Sequence, residues 1–490
     1  MAPANEIPLG VRAARGAASL AIASSLAQLI ALGTSVVLAR LLSPGDFGLV
    51  AMANLLLAFV GPLHDSGLAT AFVARSERAH DYAATLAWGA SGSGILAALL
   101  TAAAAPLVAL AFGEPALTDV TRALAITFAL RGAAAAPLAV LTRELAFNRR
   151  AVTTLAGTLA ESVVSITSAI GGLGPWALVA GQIAGAGTTT VAAWLVAPWR
   201  PHGRFSPARL WEMSRYSRHV VAANSLGFLG SYLDNIAVGR VLGATALGIY
   251  GAAFRWGRLP ALALSTVVSP VAFPSYVALR ADAERFRSAY LRLVRTITSV
   301  TLPAQAGLFL LAPLFVRALY PPQWEGMVLP LRIFAVFGIV NSIVATTGDV
   351  FKAANRPGWI AAIAGVHLPV LGIGLWLLLP RGAGGAAAAL TLAAIASGAV
   401  AVPLALRVLG LSARRFIAAL APQTAATLVM MLVVLAAELA LAPVRPLIAL
   451  AALTLVGAVA YAVVLVLVDG RWVRELAATL RLTARRRALA

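Results

Sequence analysis

From residue 17 to residue 468 the chain is a succession of apolar stretches, each about 19–29 residues long and parted by short breaks. A helix rises 1.5 Å per residue, so about 20 apolar residues cross the roughly 30 Å hydrocarbon core of a bilayer. Backbone that enters hydrocarbon must satisfy its own N–H and C=O groups, and the α-helix does so within each segment. The stretches fall near 17–41, 46–64, 83–111, 116–140, 150–171, 175–197, 216–241, 246–272, 288–313, 327–350, 358–380, 383–407, 415–441 and 446–468. The expected fold is therefore all-α and integral to the membrane, with about 14 transmembrane helices. Composition agrees, since 60% of the 490 residues are hydrophobic and 11% charged, against about 25% charged in soluble domains. With no cysteine, a disulfide framework and thiolate metal sites are excluded. The five histidines show no metal-ligand spacing, and no cofactor is expected. Residues 1–10 are mixed and hold two prolines. No cleavable signal is read there, and the first apolar stretch is expected to stay as a membrane helix.

The formal net charge of +20 would suggest nucleic acid in a soluble chain. Here the positive-inside rule accounts for it. With a cytoplasmic N-terminus, the N-terminal segment, alternate loops and the C-terminal tail hold 28 of the 38 Lys and Arg, whereas the opposite loops hold three, Arg317, Arg381 and Arg445. The bias predicts both termini in the cytoplasm and no nucleic-acid partner. Seven arginines lie inside the stretches and are not explained by orientation: Arg40, Arg122, Arg131, Arg240, Arg255, Arg258 and Arg332.

The chain also repeats itself. The segment VVLARLLSPGDFGLV from Val36 aligns without a gap on IAVGRVLGATALGIY from Ile236, matching Arg40 with Arg240, Leu42 with Leu242 and Gly48 with Gly248. Each copy ends one span, turns, and begins the next. An even number of spans separates the copies, so both halves have one orientation, as in transporters built of parallel repeats. The expected organisation is a six-helix lobe over 1–197, a basic cytoplasmic linker over 198–215, a second six-helix lobe over 216–408, and an appended helix pair with a basic tail over 409–490.

The stretches LARLLSPGDFGLVAMANLLLAFVGPLHDSGLATAFVAR and LDNIAVGRVLGATALGIYGAAFR resemble the openings of the two halves of bacterial polysaccharide exporters of the multidrug/oligosaccharidyl-lipid/polysaccharide (MOP) superfamily. The resemblance runs in order over roughly residues 10–410 and is nearest to Wzx-like flippases for O-antigen, capsule or exopolysaccharide units. It implies a two-lobed MOP-type bundle with a central cavity in a bacterial inner membrane. The implied cargo is an undecaprenyl-pyrophosphate-linked oligosaccharide. The implied partners are membrane lipids and other polysaccharide assembly proteins, and the implied energy source is an ion or proton gradient. No GxxxxGK[ST] phosphate loop is present to supply nucleotide energy.

An arginine at mid-membrane costs at least about 2.5–3.5 kcal/mol on insertion scales, so it faces a cavity or a partner. Arg255 and Arg258, at i and i+3 of the motif FRWGR, share a helix face near the midplane. Asp234 matches Arg255 in depth, and Glu161 matches Arg131. Each acid is a candidate ion-pair partner or a coupling carboxylate. Arg258 is then the cation without an obvious acid, and with Arg255 and Arg131 it is a candidate for a pyrophosphate, whose oxygens suit a guanidinium fork. Arg40 and Arg240 end spans at the outer interface, as anchors or as parts of an outer gate or turn. Gln28, Asn54, Gln182, Asn224, Asn235, Gln305 and Asn341 line a sugar-sized cavity or bond between helices. His367 reads as a hydrogen-bonded helix residue.

Two other function classes are open. A multidrug cation antiporter of the same superfamily needs a lumen that attracts cations, which the excess of buried arginine disfavours. A membrane glycosyltransferase or polymerase needs a large catalytic loop, and the longest loops are about twenty residues. A non-enzymatic flippase is the leading expectation.

Overall fold

The computed structural model describes residues 9–65, 68–73, 79–200, 205–440 and 445–489. Arg75 and Arg78, expected on the cytoplasmic side, and residues 201–204 of the expected linker lie outside the described residues. The described chain is helical throughout, with no strand. In order the helices are α1 (Leu9–Leu41), α2 (Pro44–Asp65), α3 (Leu68–Val73), α4 (Ala79–Phe112), α5 (Leu117–Arg143), α6 (Phe147–Ile170), α7 (Pro175–Val196), α8 (Pro207–Leu279), α9 (Ala283–Leu319), α10 (Val328–Val344), α11 (Thr347–Ala353), α12 (Gly358–Leu378), α13 (Ala383–Leu409), α14 (Ala413–Ala440) and α15 (Pro446–Leu489).

Among the described residues twelve helical stretches are long and apolar enough to cross a membrane, and the chain is a multi-pass membrane protein. One of the twelve, Gly230–Ala261, runs through a break in α8 at Gly243, while α6 is not among them. A count of fourteen spans rests on dividing that stretch and adding α6. Lipid is the solvent these surfaces require. Leu439, Leu467 and Trp376 are 83, 79 and 78% exposed, which in water would form apolar patches far beyond those of soluble monomers.

The chain packs as two compact units, Met1–Gly248 and Ile249–Ala490. In the first, α4 packs along α5, α6 along α7, and α1 along α6. Small residues allow this proximity. A β-carbon on Gly157 would lie 2.0 Å from Thr189 Oγ1, and one on Gly181 would lie 1.8 Å from Ser165 Oγ and 2.8 Å from the Glu161 carbonyl oxygen. Bare backbone thus lets α6 and α7 approach, the usual device for helices that gain no hydrophobic driving force from each other in lipid.

The repeated turn is built by different means in its two copies. At the first, Ser43 and Asp46 form a capping pair: Ser43 Oγ donates to Asp46 Oδ2 at 2.7 Å and accepts from the Asp46 amide at 3.2 Å. That holds the otherwise unpaired N–H groups at the start of α2. At the second, the position of Ser43 is taken by Gly243, with φ 84° and ψ −178°, a conformation open essentially to glycine alone. The matched glycines pack reciprocally. A β-carbon on Gly48 would lie 1.7 Å from the Ala244 carbonyl oxygen, and one on Gly248 would lie 1.9 Å from that of Pro44.

In the second unit α9 packs against α10, α14 and α15, and α13 against α10 and α12. His367 of α12 lies 3.4 Å from Ser397 Oγ of α13, the helix-bonded role its position suggests. The appended pair sits on α9 through Ala306, Leu311, Met430, Val434 and Leu453, and Tyr461 Oη donates to the Ser299 carbonyl at 2.7 Å. α15 breaks at Asp469 (φ −144°, ψ 48°), where its apolar span gives way to a basic tail. There Asp469 pairs with Arg295, whose guanidinium also lies 4.4 Å from the Trp472 ring centroid. With its amide oriented to satisfy both neighbours, Gln423 accepts from Arg295 Nε at 3.2 Å and donates to the Ala419 carbonyl at 3.0 Å. One arginine therefore ties three helices together. Removing one partner of a buried ion pair costs about 3–5 kcal/mol. At 22% and 18% exposure this pair belongs near the lower end. Arg295→Ala is expected to release the C-terminal segment, read by limited proteolysis as faster cleavage beyond Asp469 with the rest of the chain intact. Unchanged cleavage would mean that the apolar contacts alone hold the segment.

Candidate functional site

The motif FRWGR of α8 divides by face. Phe254 lies edge-on to Phe334 at 5.2 Å and tilted against Phe337 at 5.8 Å. Trp256 meets Phe315 edge-on at 4.9 Å and donates its indole N–H to Tyr320 Oη at 2.6 Å. Gly257 is in contact with Phe334, where a β-carbon would lie 2.4 Å from Phe334 Cβ, and its carbonyl accepts from Gln305 Nε2 at 2.6 Å. Three members of the motif thus fix α8 to its unit, while Arg255 and Arg258 are both exposed. The Arg258 guanidinium lies 5.7 Å from the Phe254 ring centroid, within the range of a cation–π contact. Gln305 is fully buried in its interhelical bond. Asn341 donates to Phe337 one turn back at 3.2 Å.

The first unit holds a cavity of about 850 Å³, within the range of small-molecule sites. Its wall comes from α3, α5, α6 and α7. Along α6 the residues Arg150, Thr154, Thr158 and Glu161 recur at helical spacing, so they share one face, and all line it. α5 contributes Arg131 and Thr142, and α7 contributes Gln182 and Thr190. The threonine hydroxyl protons go to backbone: Thr154 to the Arg150 carbonyl (3.2 Å), Thr158 to that of Thr154 (3.0 Å), and Thr142 to that of Leu138 (2.8 Å). Their oxygens remain as acceptors, and Arg150 Nη1 donates to Thr142 Oγ1 at 2.5 Å, joining the start of α6 to the end of α5. Glu161 stands where α6 passes close to Gly185 of α7. A β-carbon on Gly185 would lie 2.9 Å from Glu161 Cβ and 3.2 Å from its Oε2. The cavity can hold a polar or anionic group against the guanidinium groups of Arg131 and Arg150, with the Glu161 carboxylate also in its wall.

The predicted residues therefore fall in separate places. Arg131 and Glu161 line one cavity, together with Gln182. Arg255 and Arg258 share an exposed face of α8 in the second unit. Asp234 is buried at 3% exposure and accepts from Asn235 Nδ2 at 3.1 Å. Arg40 and Arg240 are exposed near the ends of their apolar segments. Two residues were missed as functional. Arg150 reads in sequence only as an orientation-setting charge, although its spacing to Thr154, Thr158 and Glu161 carries the signal. Arg295 reads the same way, and nothing local in sequence points to a partner 174 positions away.

The helical arrangement has counterparts among solved transporters. It matches the lipid II flippase MurJ in an inward closed conformation with a TM-score of 0.71 at 14% identity, covering 93% of this chain and 99% of that one. An inward-facing multidrug resistance MATE transporter of the MOP superfamily matches with a TM-score of 0.66 at 14% identity, over 78% of this chain and 94% of that one. The fold is thus the helical fold that these two solved proteins share. A model of the polysaccharide biosynthesis protein family matches residues 37–329, and the chain belongs to that family. Relatives include the lipopolysaccharide biosynthesis protein WzxC of Escherichia coli (strain K12), 24% identical over 68% of this chain and 69% of its own length. The succinoglycan biosynthesis transport protein ExoT of Rhizobium meliloti (strain 1021) is 28% identical over 59% of each chain.

Proposed function

We propose that this protein is a flippase that moves an undecaprenyl-pyrophosphate-linked oligosaccharide, of the O-antigen, capsule or exopolysaccharide type, across a bacterial inner membrane. The carrying observation is a polysaccharide biosynthesis family chain that places an arginine-bearing polar cavity inside an apolar helical bundle. Arg258 and Arg255, on one face of α8, are the proposed cations for the pyrophosphate, and Arg131 is a proposed cation of the first unit's cavity, because charge-assisted, forked hydrogen bonds suit phosphate oxygens. The family resemblance implies transport driven by an ion or proton gradient, with Glu161 and Asp234 as the candidate coupling carboxylates. The sugar moves within the protein while the polyprenyl chain stays in lipid, and rocking of two parallel repeats, 1–197 and 216–408, alternates access. No bond is made or broken, so the protein is not an enzyme. Deleting the gene is expected to leave lipid-linked repeat units on the cytoplasmic face of the membrane and to stop surface glycan. Normal surface glycan in the deletion strain would remove the proposal.

The arginine asymmetry supports a cytoplasmic position for both termini. The natural lack of cysteine makes this directly testable. In spheroplasts a membrane-impermeant maleimide is expected to label an Ala116→Cys variant at once and an Ala281→Cys variant only after lysis. The reverse order would invert the topology and with it the direction of transport.

A further inference from the structure

The start of α9 carries four arginines within eleven residues, and three of them are committed. Arg285 pairs with Asp282 at 3.2 Å. Arg287 pairs with Glu284 at 3.2 Å and donates Nε to the Leu409 carbonyl at 2.7 Å. Arg295 holds Asp469 and Trp472. Arg292 remains, with no acid, acceptor or ring as partner among the described residues, and its side chain is exposed.

Arg292 lines a second cavity, of about 580 Å³, where the end of α8 meets the start of α9. Ser275, Ser288 and Arg285 share its wall, and Tyr276 is buried there. The one acid on the wall, Glu284, is already held by Arg287 at 3.2 Å and by Arg415 at 3.7 Å. The cavity thus presents a free guanidinium, a second one beside it and two hydroxyl groups, with its carboxylate doubly neutralised, and this set selects an anion with several acceptor oxygens. Beside Ser275 and Tyr276, the apolar side chains of Phe273 and Val277 are 40% and 38% exposed. A ligand that satisfies both surfaces is an amphiphile, with a phosphate at the arginine and hydrocarbon along α8.

We infer that this cavity binds the phosphate of a membrane lipid headgroup, on the side of the membrane where the basic loops gather. Two lipids share that chemistry, a resident anionic phospholipid and the polyprenyl pyrophosphate of a cargo. The site needs only that the chain sits in a membrane, so it stands or falls apart from the flippase reading.

The test uses the purified full chain in detergent. Native mass spectrometry would compare dioleoylphosphatidylglycerol, undecaprenyl pyrophosphate and inorganic phosphate as probes. Both lipids are expected to form retained adducts and inorganic phosphate few. In Arg292→Ala the lipid adducts are expected to fall about tenfold or more, as loss of a charge-assisted phosphate contact implies. Arg292→Lys is expected to recover part of the binding, and Arg356→Ala, at an exposed arginine outside the cavity, to retain all of it. Arg292→Gln serves if the alanine variant does not fold. Equal retention of the two lipids marks a general anionic-lipid site, and preference for the pyrophosphate marks a cargo-loading site. The assignment is overturned by undiminished adducts in the folded Arg292 variants, by an equal loss in Arg356→Ala, or by inorganic phosphate binding as well as either lipid. A protein that fails to flip cargo but keeps Arg292-dependent adducts loses the flippase reading and keeps the site.

Discussion

Arg258→Ala is expected to leave the protein in the membrane at wild-type level and to abolish glycan export. The two halves of that expectation come from the two faces of FRWGR. Phe254, Trp256 and Gly257 make the packing contacts, whereas Arg258 is exposed, touches only the Phe254 ring and forms no ion pair among the described residues. Removing it opens no core cavity and relieves a charge whose burial at mid-membrane costs at least about 2.5–3.5 kcal/mol on insertion scales. The functional loss is set by the phosphate. A hydrogen bond to a charged group is worth about 1.5–3 kcal/mol, so losing a fork of two weakens cargo binding by about two to four powers of ten. Gly257→Ala is the contrasting variant. Its β-carbon would lie 2.4 Å from Phe334 Cβ and 3.0 Å from the Phe334 carbonyl carbon, so protein level is expected to fall along with export. Immunoblots of membranes beside surface-glycan assays separate the two. Wild-type export by Arg258→Ala would remove Arg258 from the site.

The largest loss of stability is expected at the repeated turns. Gly48→Ala and Gly248→Ala each set a β-carbon under 2 Å from a carbonyl oxygen of the opposite turn. Overpacking against side chains costs about 1–3 kcal/mol because they can shift to other rotamers. Backbone held by a capping pair on one side and by Gly243 on the other has no such freedom, so the cost exceeds that range. The two contacts are halves of one approach. Once the first substitution has parted the turns, the second costs little, and the double variant is expected to be far less destabilised than the sum of the singles. Thermal unfolding in detergent reads this directly. Additive losses would mean that the two glycines act independently and that the reciprocal packing is unimportant.

The long apolar stretches were legible because they need no knowledge of tertiary structure, and each coincides with helix. The repeat was legible for the same reason, since two turns with matched arginines and glycines can be compared by eye. What was hidden follows from the solvent. In water a polar face and an apolar face mark the two sides of a helix, but in lipid the outward face and the packed face are equally apolar, so sequence gives no inside. The exception is informative. α6 falls short of the apolar length its neighbours reach because Arg150, Thr154, Thr158 and Glu161 occupy one of its faces, and that deficit is the trace of the cavity. The expected linker differs from the structure in one respect. Its second half, from Pro207, is already the start of α8 and continues as helix into the next apolar stretch. The Arg295–Asp469 pair joins two charges that each look like ordinary interfacial residues, and no pattern along the chain connects them.

Transport itself is the central claim. The most direct measurement reconstitutes the full chain in liposomes loaded in one leaflet with a fluorescent undecaprenyl-pyrophosphate-linked oligosaccharide, and follows accessibility of the sugar to an impermeant quencher while a proton or sodium gradient is imposed. The predicted result is protein-dependent loss of protection that speeds up with a gradient of one sign and is absent in Arg258→Ala. Protection that decays no faster than in protein-free liposomes, under gradients of either ion and either sign, would contradict the account.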